Sequence, residues 1–391
     1  MLSIFDERFP VYYTVIFIVL SFILGAVIGS FLNVVIIRVP RHEPISGAHN
    51  RSHCMSCGKQ LSNIDLIPIL SYIFLGGRCR FCKARISPRY WIVELITATA
   101  YTLSIIFFGI SAGLGMMFVL AAALIVASGV DTDRMEIPYG CSLVITALGI
   151  IATIVSAVIY DPEAVYTPNT PDAVAMGFFT MPWYDHLIGA AAVAVPFAVL
   201  AMFGAMGGGD MQLMAAAGLL LGWKNIIPAA GIGIVLGAIG GSIELLTVPK
   251  GTKKRAAEKA SEIAKRWYDE QKENGIYVLE GKTEAIYGSL FKGSADIEAE
   301  CIDEKLWSGK PDIETLNRMF AEELPDISKF AVSIVIGNVR SKKDPESYVE
   351  NGKVQSVSCK RQVVFGPYLS IGIFAACLIG GKIISWYTSM I

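Results

Sequence analysis

A chain of 391 residues with 53% hydrophobic and only 17% charged side chains, and a mean hydropathy of +0.53, is too apolar for a soluble fold with a solvated face, so a membrane protein is expected. The net charge of −1 hides a division, because 40 of the 67 charged side chains fall within residues 250–361. Eight cysteines, four of them in CxxC pairs within a short basic loop, exclude a disulfide scaffold and point to metal binding in a reducing compartment.

No secretory signal peptide is expected, since the first apolar stretch follows Asp6 and Glu7 and is far longer than a signal core. A helix needs about 20 apolar residues to cross the hydrocarbon core. Uncharged runs of that kind fall at 11–37, then at 95–130, where Gly109, Ser111 and Gly113 suggest two spans joined by a turn, and at 137–160. The run 186–223 carries Asp210 as its one charge and is long enough for two crossings meeting near Gly207; 225–243 and 365–390 complete eight expected spans. Nine basic against two acidic residues between Arg38 and Arg89 place that loop in the cytoplasm, while four acidic and no basic residues from Asp161 to Asp185 place that one outside. On this count both termini lie outside, and Asp131, Asp210 and the charged segment face the cytoplasm.

Within the first loop, Cys54-Met-Ser-Cys57 and Cys79-Arg-Phe-Cys82 are separated by 21 residues, close to the spacing of paired zinc knuckles. Each CxxC offers two thiolates on one tight turn, so the four close a tetrahedral site that leaves no open position; the expected zinc is structural. The alternative is four free or redox-active cysteines. His42, His49 and His53 receive no role, because the four sulfurs suffice.

Asp131 ends an apolar run in Val130-Asp131-Thr132-Asp133-Arg134-Met135-Glu136-Ile137-Pro138, and Asp210 closes Gly207-Gly208-Gly209-Asp210. Carboxylates at membrane depth cost several kcal/mol and are functional candidates by default. Two of them within reach of each other share a proton, one acting as base toward water and the other as acid toward a scissile carbonyl, which is the chemistry of peptide hydrolysis. Gly207 and Gly209 supply a backbone that bends and approaches a substrate closely. The alternative for each aspartate is that it caps a helix or sits in headgroup water, and the periodicity does not choose among Asp131, Asp133 and Glu136.

These residues belong to a larger pattern. Gly29-Ser30-Phe31-Leu32-Asn33-Val34-Val35, the two CxxC pairs, Asn63-Ile64-Asp65-Leu66-Ile67-Pro68-Ile69-Leu70-Ser71-Tyr72, Gly76-Gly77-Arg78-Cys79, Val93-Glu94-Leu95, the Asp131–Pro138 segment, the GxGD run and Phe365-Gly366-Pro367-Tyr368-Leu369 together resemble the type IV prepilin leader peptidase and N-methyltransferase family. The resemblance covers residues 11–250 and 363–391. It implies Asp131 and Asp210 as the catalytic pair, a prepilin or pseudopilin substrate cut on the cytoplasmic side of the inner membrane, and methylation of the new amino terminus with S-adenosylmethionine. Gln212, Tyr139 and Arg78 depart from residues usual in that family. No glycine-rich nucleotide fingerprint is present, and no residue is assigned to the methyl donor.

The expected fold is an all-α polytopic membrane protein of about eight transmembrane helices, with a cytoplasmic tetracysteine zinc loop and a small soluble α+β insertion. Its layout is a first helix in 1–37, the tetracysteine loop in 38–90, a catalytic core in 91–250, the insertion in 251–362 and a final helix in 363–391. The insertion holds an amphipathic helix in 252–273 and a strand at 330–336, and serves either as a tolerated addition or as a dock for pilin or assembly proteins. Lys250, Lys253, Lys254 and Arg255 suit a contact with anionic lipid. No nucleic-acid partner is expected. Two other classes fit parts of the pattern: a proton or ion transporter using the intramembrane aspartates, and a non-enzymatic component of a pilus machine.

Overall fold

The computed structural model describes residues 11–41, 43–45, 52–54, 56–134, 136–160, 177–179, 181–202, 206–247, 252–276, 283–289, 300–301, 312, 315–316, 318–319, 330–337, 354–361 and 364–388. Its long apolar helices are α1 (Val11–Arg38), α3 (Arg89–Phe108), α4 (Ala112–Arg134), α5 (Tyr139–Ile159), α6 (Trp183–Met202) and α7 (Gly208–Thr247), with a short α2 (Leu70–Phe74) in the cysteine loop. A polar helix α8 (Thr252–Glu273), strands β1 (Thr283–Ser289), β2 (Glu300–Cys301), β3 (Phe330–Gly337) and β4 (Val354–Arg361), and a final helix α9 (Gly366–Thr388) follow.

The expected count of eight spans is corrected: among the described residues six helices are long and apolar enough to cross a membrane, and of the last apolar helix only Gly366–Gly380 enters that comparison. One helix ends at Met202 and the next begins at Gly208, but the next two expected crossings form one 40-residue element, interrupted only at Gly222. Gly222 takes φ 70°, ψ 168°, outside the helical region and open chiefly to glycine. At about 1.5 Å per residue the piece before it falls short of a ~30 Å core. The fold class is corrected accordingly to a predominantly helical chain with, among the described residues, six long apolar helices and one antiparallel sheet of order β2-β1-β3-β4.

The helices pack where small residues permit. A Cβ added at Gly25 would lie 2.6 Å from the Ala98 Cα, and one at Gly29 would lie 2.8 Å from the Glu94 Cα, so this four-residue spacing brings α1 against α3 backbone to backbone. Ser21 Oγ donates across the same seam to the Tyr101 carbonyl at 2.9 Å. The main core joins Met117 and Leu120 of α4, Ile145 of α5, Leu213, Leu220 and Ile226 of α7, and Leu369 and Ile373 of α9. Many outward Val, Ile and Leu side chains of α1, α5 and α7 are exposed, as lipid-facing surfaces require.

The chain divides into two compact units, one drawn from Met1–Asp131, Glu136–Ala238 and Phe365–Ile391, the other from Thr132–Met135 and Ile239–Val364. In the second unit the apolar face of α8, with Ile263, Ala264, Trp267 and Tyr268 buried, packs on β3 and β4. Trp267 Nε1 donates to the Asp312 carbonyl at 2.8 Å, and the Asp312 N–H donates to Gln271 Oε1 at 3.0 Å. β3 covers the run read as a strand. The basic cluster read as a lipid contact lies outside the residues whose side chains are described.

Candidate active site and metal centre

Asp131 sits in the last turn of α4 and Asp210 in the first turn of α7, so two helix ends bring the carboxylates together. Asp131 is 5% exposed and feels the charge of Asp210. Its Oδ2 accepts the N–H of Gly366, the first residue of α9, at 2.8 Å. The Gly207 backbone hydrogen-bonds the Asp210 carboxylate, while Asp210 Oδ1 is buried with no hydrogen-bond partner among the described residues.

Burial separates the three acidic candidates that periodicity left open: Asp131 is buried, Asp133 half-buried and Glu136 exposed. The glycines before Asp210 have local neighbours. A Cβ at Gly209 would come within 3.1 Å of the Ile137 Cβ, and one at Gly207 within 3.3 Å of Asp210 Oδ2. Gly209 thereby lets the start of α7 close onto the segment that follows Asp131.

The four cysteines form a second cluster, with sulfurs all within 4.8 Å of one another and Cys54 Sγ 3.8 Å from Cys82 Sγ. Four sulfurs at ~2.3 Å from a tetrahedral zinc stand ~3.8 Å apart, so the spacing fits such an ion. Both pairs use the same turn. The Cys54 N–H donates to the Lys59 carbonyl and Gly58 N–H to that of Cys54; Cys79 N–H donates to Ala84 and Lys83 N–H back to Cys79. The fourth residue after the leading cysteine has positive φ in each, 68° at Gly58 and 59° at Lys83. Bridges His53–Gln60 and Arg78–Arg85 close the two turns alike.

Backbone N–H groups of Cys57 and Ser56, aimed at the sulfur, hold the Cys54 thiol down to about 6. For Cys82 the Ala84 amide acts downward, but burial and the three neighbouring thiols outweigh it and push the group up to about 11. In the metal-free cluster one sulfur is thus readily ionised while another retains the proton. Of the histidines near the cluster, His42 and His49 lie outside the described residues.

Two contacts secure the loop, and neither follows from sequence pattern. Asp65 pairs with Arg80 at 2.6 Å and accepts from Ser62, which holds its carboxyl below the usual range, the Ser62 hydroxyl first and Arg80 after it. Ile69, with φ 61° although β-branched, donates its N–H to Glu94 Oε2 of α3 at 2.7 Å. An isoleucine in that region is strained, and Glu94 holds it there.

Residues 23–108 match the Bacterial Peptidase A24 N-terminal domain and residues 118–242 the Type IV leader peptidase family. The chain is 33% identical over 228 residues to a prepilin leader peptidase/N-methyltransferase of Bacillus subtilis, covering 58% of this chain and 82% of that protein. It is 30% identical over 210 residues to one of Klebsiella pneumoniae (52% and 85%) and 29% identical over 248 residues to one of Pseudomonas aeruginosa (57% and 80%). No solved structure matches it. Six apolar helices among the described residues, each long enough to cross a membrane, make it a multi-pass membrane protein, and the two matched regions with these relatives place the chain in the type IV prepilin leader peptidase family.

Proposed function

We propose that this protein is an aspartic endopeptidase that removes the leader from type IV prepilins or pseudopilins, with Asp131 and Asp210 as its acid–base pair. The observation that carries the reading is the meeting of a buried Asp131 with Asp210 at the ends of two membrane helices. One carboxylate takes a proton from water, whose oxygen adds to the scissile carbonyl carbon while the other carboxyl protonates the carbonyl oxygen. Collapse of that intermediate breaks the C–N bond, and the proton goes to the departing amine.

The reading extends to orientation and layout. The basic loop of residues 38–90 and the pair face the cytoplasm, with the core in 91–250, the insertion in 251–362 and the final helix in 363–391. The tetracysteine cluster holds a structural zinc, for which its sulfur spacing speaks. Following the names its relatives carry, the enzyme also transfers a methyl group from S-adenosylmethionine to the new amino terminus; no residue of this chain is assigned to that cofactor.

Purified protein in detergent, incubated with a prepilin and S-adenosylmethionine, tests both activities by product mass. Loss of the leader mass and a gain of one methyl group are expected; an unaltered prepilin overturns the reading, and a cleaved, unmethylated product restricts it to peptidase.

A further inference from the structure

Of the contacts around the aspartate pair, one comes from far along the chain. The N–H of Gly366 donates to Asp131 Oδ2 at 2.8 Å in a buried setting, across 235 residues. Gly366 opens α9, so the partial positive charge of that helix N-terminus also faces the carboxylate. The position tolerates no side chain without moving Asp131, because a Cβ there would lie 2.5 Å from Oδ2, 3.0 Å from Cγ and 3.1 Å from Cβ of the aspartate. Pro367 follows, a residue whose fixed φ presets the first helical turn and holds that amide in place.

We propose that Gly366 is a positioning residue for the reaction: its N–H fixes the Asp131 carboxylate in the site and favours the ionised form of that group. The proposal rests on Asp131 being the base of that acid–base pair. A carboxylate that accepts a backbone N–H is stabilised as the anion, and one oxygen so held leaves the other to meet water. Asp210 Oδ1 is likewise buried, without a partner among the described residues. The last helix is thus part of the catalytic apparatus rather than only a lid on the bundle.

The test is the pH dependence of leader cleavage by Gly366→Ala beside Gly372→Ala and Asp131→Asn. A Cβ at residue 372 would strike the Ala229 carbonyl, a backbone atom that cannot move aside, so Gly372→Ala is a packing lesion in the same helix. For Gly366→Ala we expect kcat about ten- to a hundredfold lower with KM little changed. The acid limb of kcat/KM should move to higher pH by about one unit, since the anion has lost its donor. Gly372→Ala should lower the melting temperature in detergent and leave the limb where it is. An acid limb for Gly366→Ala that superimposes on the parent, with kcat lowered only in proportion to folded protein, overturns the proposal. Should Gly366→Ala not insert, Pro367→Ala decides, because it loosens the same amide without a clash: a smaller shift of the same sign supports the proposal and an unmoved limb overturns it. If instead Asp131→Asn cleaves normally, the underlying acid–base assignment has failed, which is distinguishable from failure of the Gly366 role alone.

Discussion

His186 Nδ1 lies 2.9 Å from the carbonyl oxygen of Leu219, and the contact accounts for how a broken helix survives inside the bundle. In an unbroken α7 that carbonyl would accept from residue 223, but Gly222 turns the chain out of helical conformation and leaves it in need of a donor. A carbonyl only accepts, so Nδ1 carries the proton, and Nε2 accepts from the Ser156 hydroxyl at 3.1 Å. We expect His186→Leu to cost about 1–3 kcal/mol of stability through the orphaned carbonyl. Ser156→Ala should cost less, about 0.5–1.5 kcal/mol, because only a neutral hydrogen bond goes. Unfolding titrations in mixed detergent micelles would compare them; equal stability of His186→Leu and the parent would show that the bond does not hold the break.

Asp131→Asn and Asp210→Asn should each abolish leader cleavage, by at least about a thousandfold given what acid–base groups contribute, while inserting normally. Asp133→Asn should retain most activity, since that side chain is only half-buried. Mass spectrometry of a prepilin substrate decides this. Full loss in Asp133→Asn together with an active Asp131→Asn would transfer the role.

Metal binding by the cysteine cluster should depend on pH with a definite sign. The Cys54 thiol is held near 6, so it is a thiolate at neutral pH and takes up a proton as pH falls through about 6. Cys82, up at about 11, still holds its proton at neutral pH and must release it to bind. Zinc added to metal-free protein near pH 7.5 should therefore liberate protons, and its affinity should fall with acidification, most steeply below about pH 6. Competition with a chromophoric chelator across that range gives the curve; a flat one would argue against thiolate ligation. Cys54→Ser or Cys79→Ser should suppress methyl transfer to a pre-cleaved peptide more than cleavage, and Asp210→Asn should leave that transfer intact.

The hydrogen bond from Ile69 N–H to Glu94 Oε2 links the cysteine loop to α3. Glu94→Ala removes the acceptor from a buried site and should cost about 1–3 kcal/mol, seen as faster proteolysis within residues 38–90. Glu94→Gln keeps a carbonyl oxygen and should behave close to the parent. Ile69→Gly, which suits a positive φ, should slow proteolysis in the Glu94→Ala background.

The residues that form the two clusters were legible in the sequence, the scaffold that arranges them less so. Cysteine pairs and intramembrane aspartates are legible because their residue types are costly or rare where they stand. The span count was not, because hydropathy records apolar length and not where a helix is long enough to cross: 208–223 and 225–243 read as two crossings, yet they form one element broken at Gly222, and its first piece is too short to span. Nor does periodicity report contacts between distant elements. Glu94 and Gly366 both stood within motifs of the family pattern, but their partners, Ile69 and Asp131, emerge only once the chain is folded. Burial, also invisible to local pattern, is what separates Asp131 from Asp133 and Glu136.

The 235 residues between Asp131 and its donor at Gly366 also set an order in time. A ribosome adding about 5–20 residues per second needs about 12–47 s to make that interval. Throughout it the first aspartate lacks its last neighbour, even if the earlier helices are already assembled. The surroundings of Asp131 in the nascent chain close only when translation reaches the final helix.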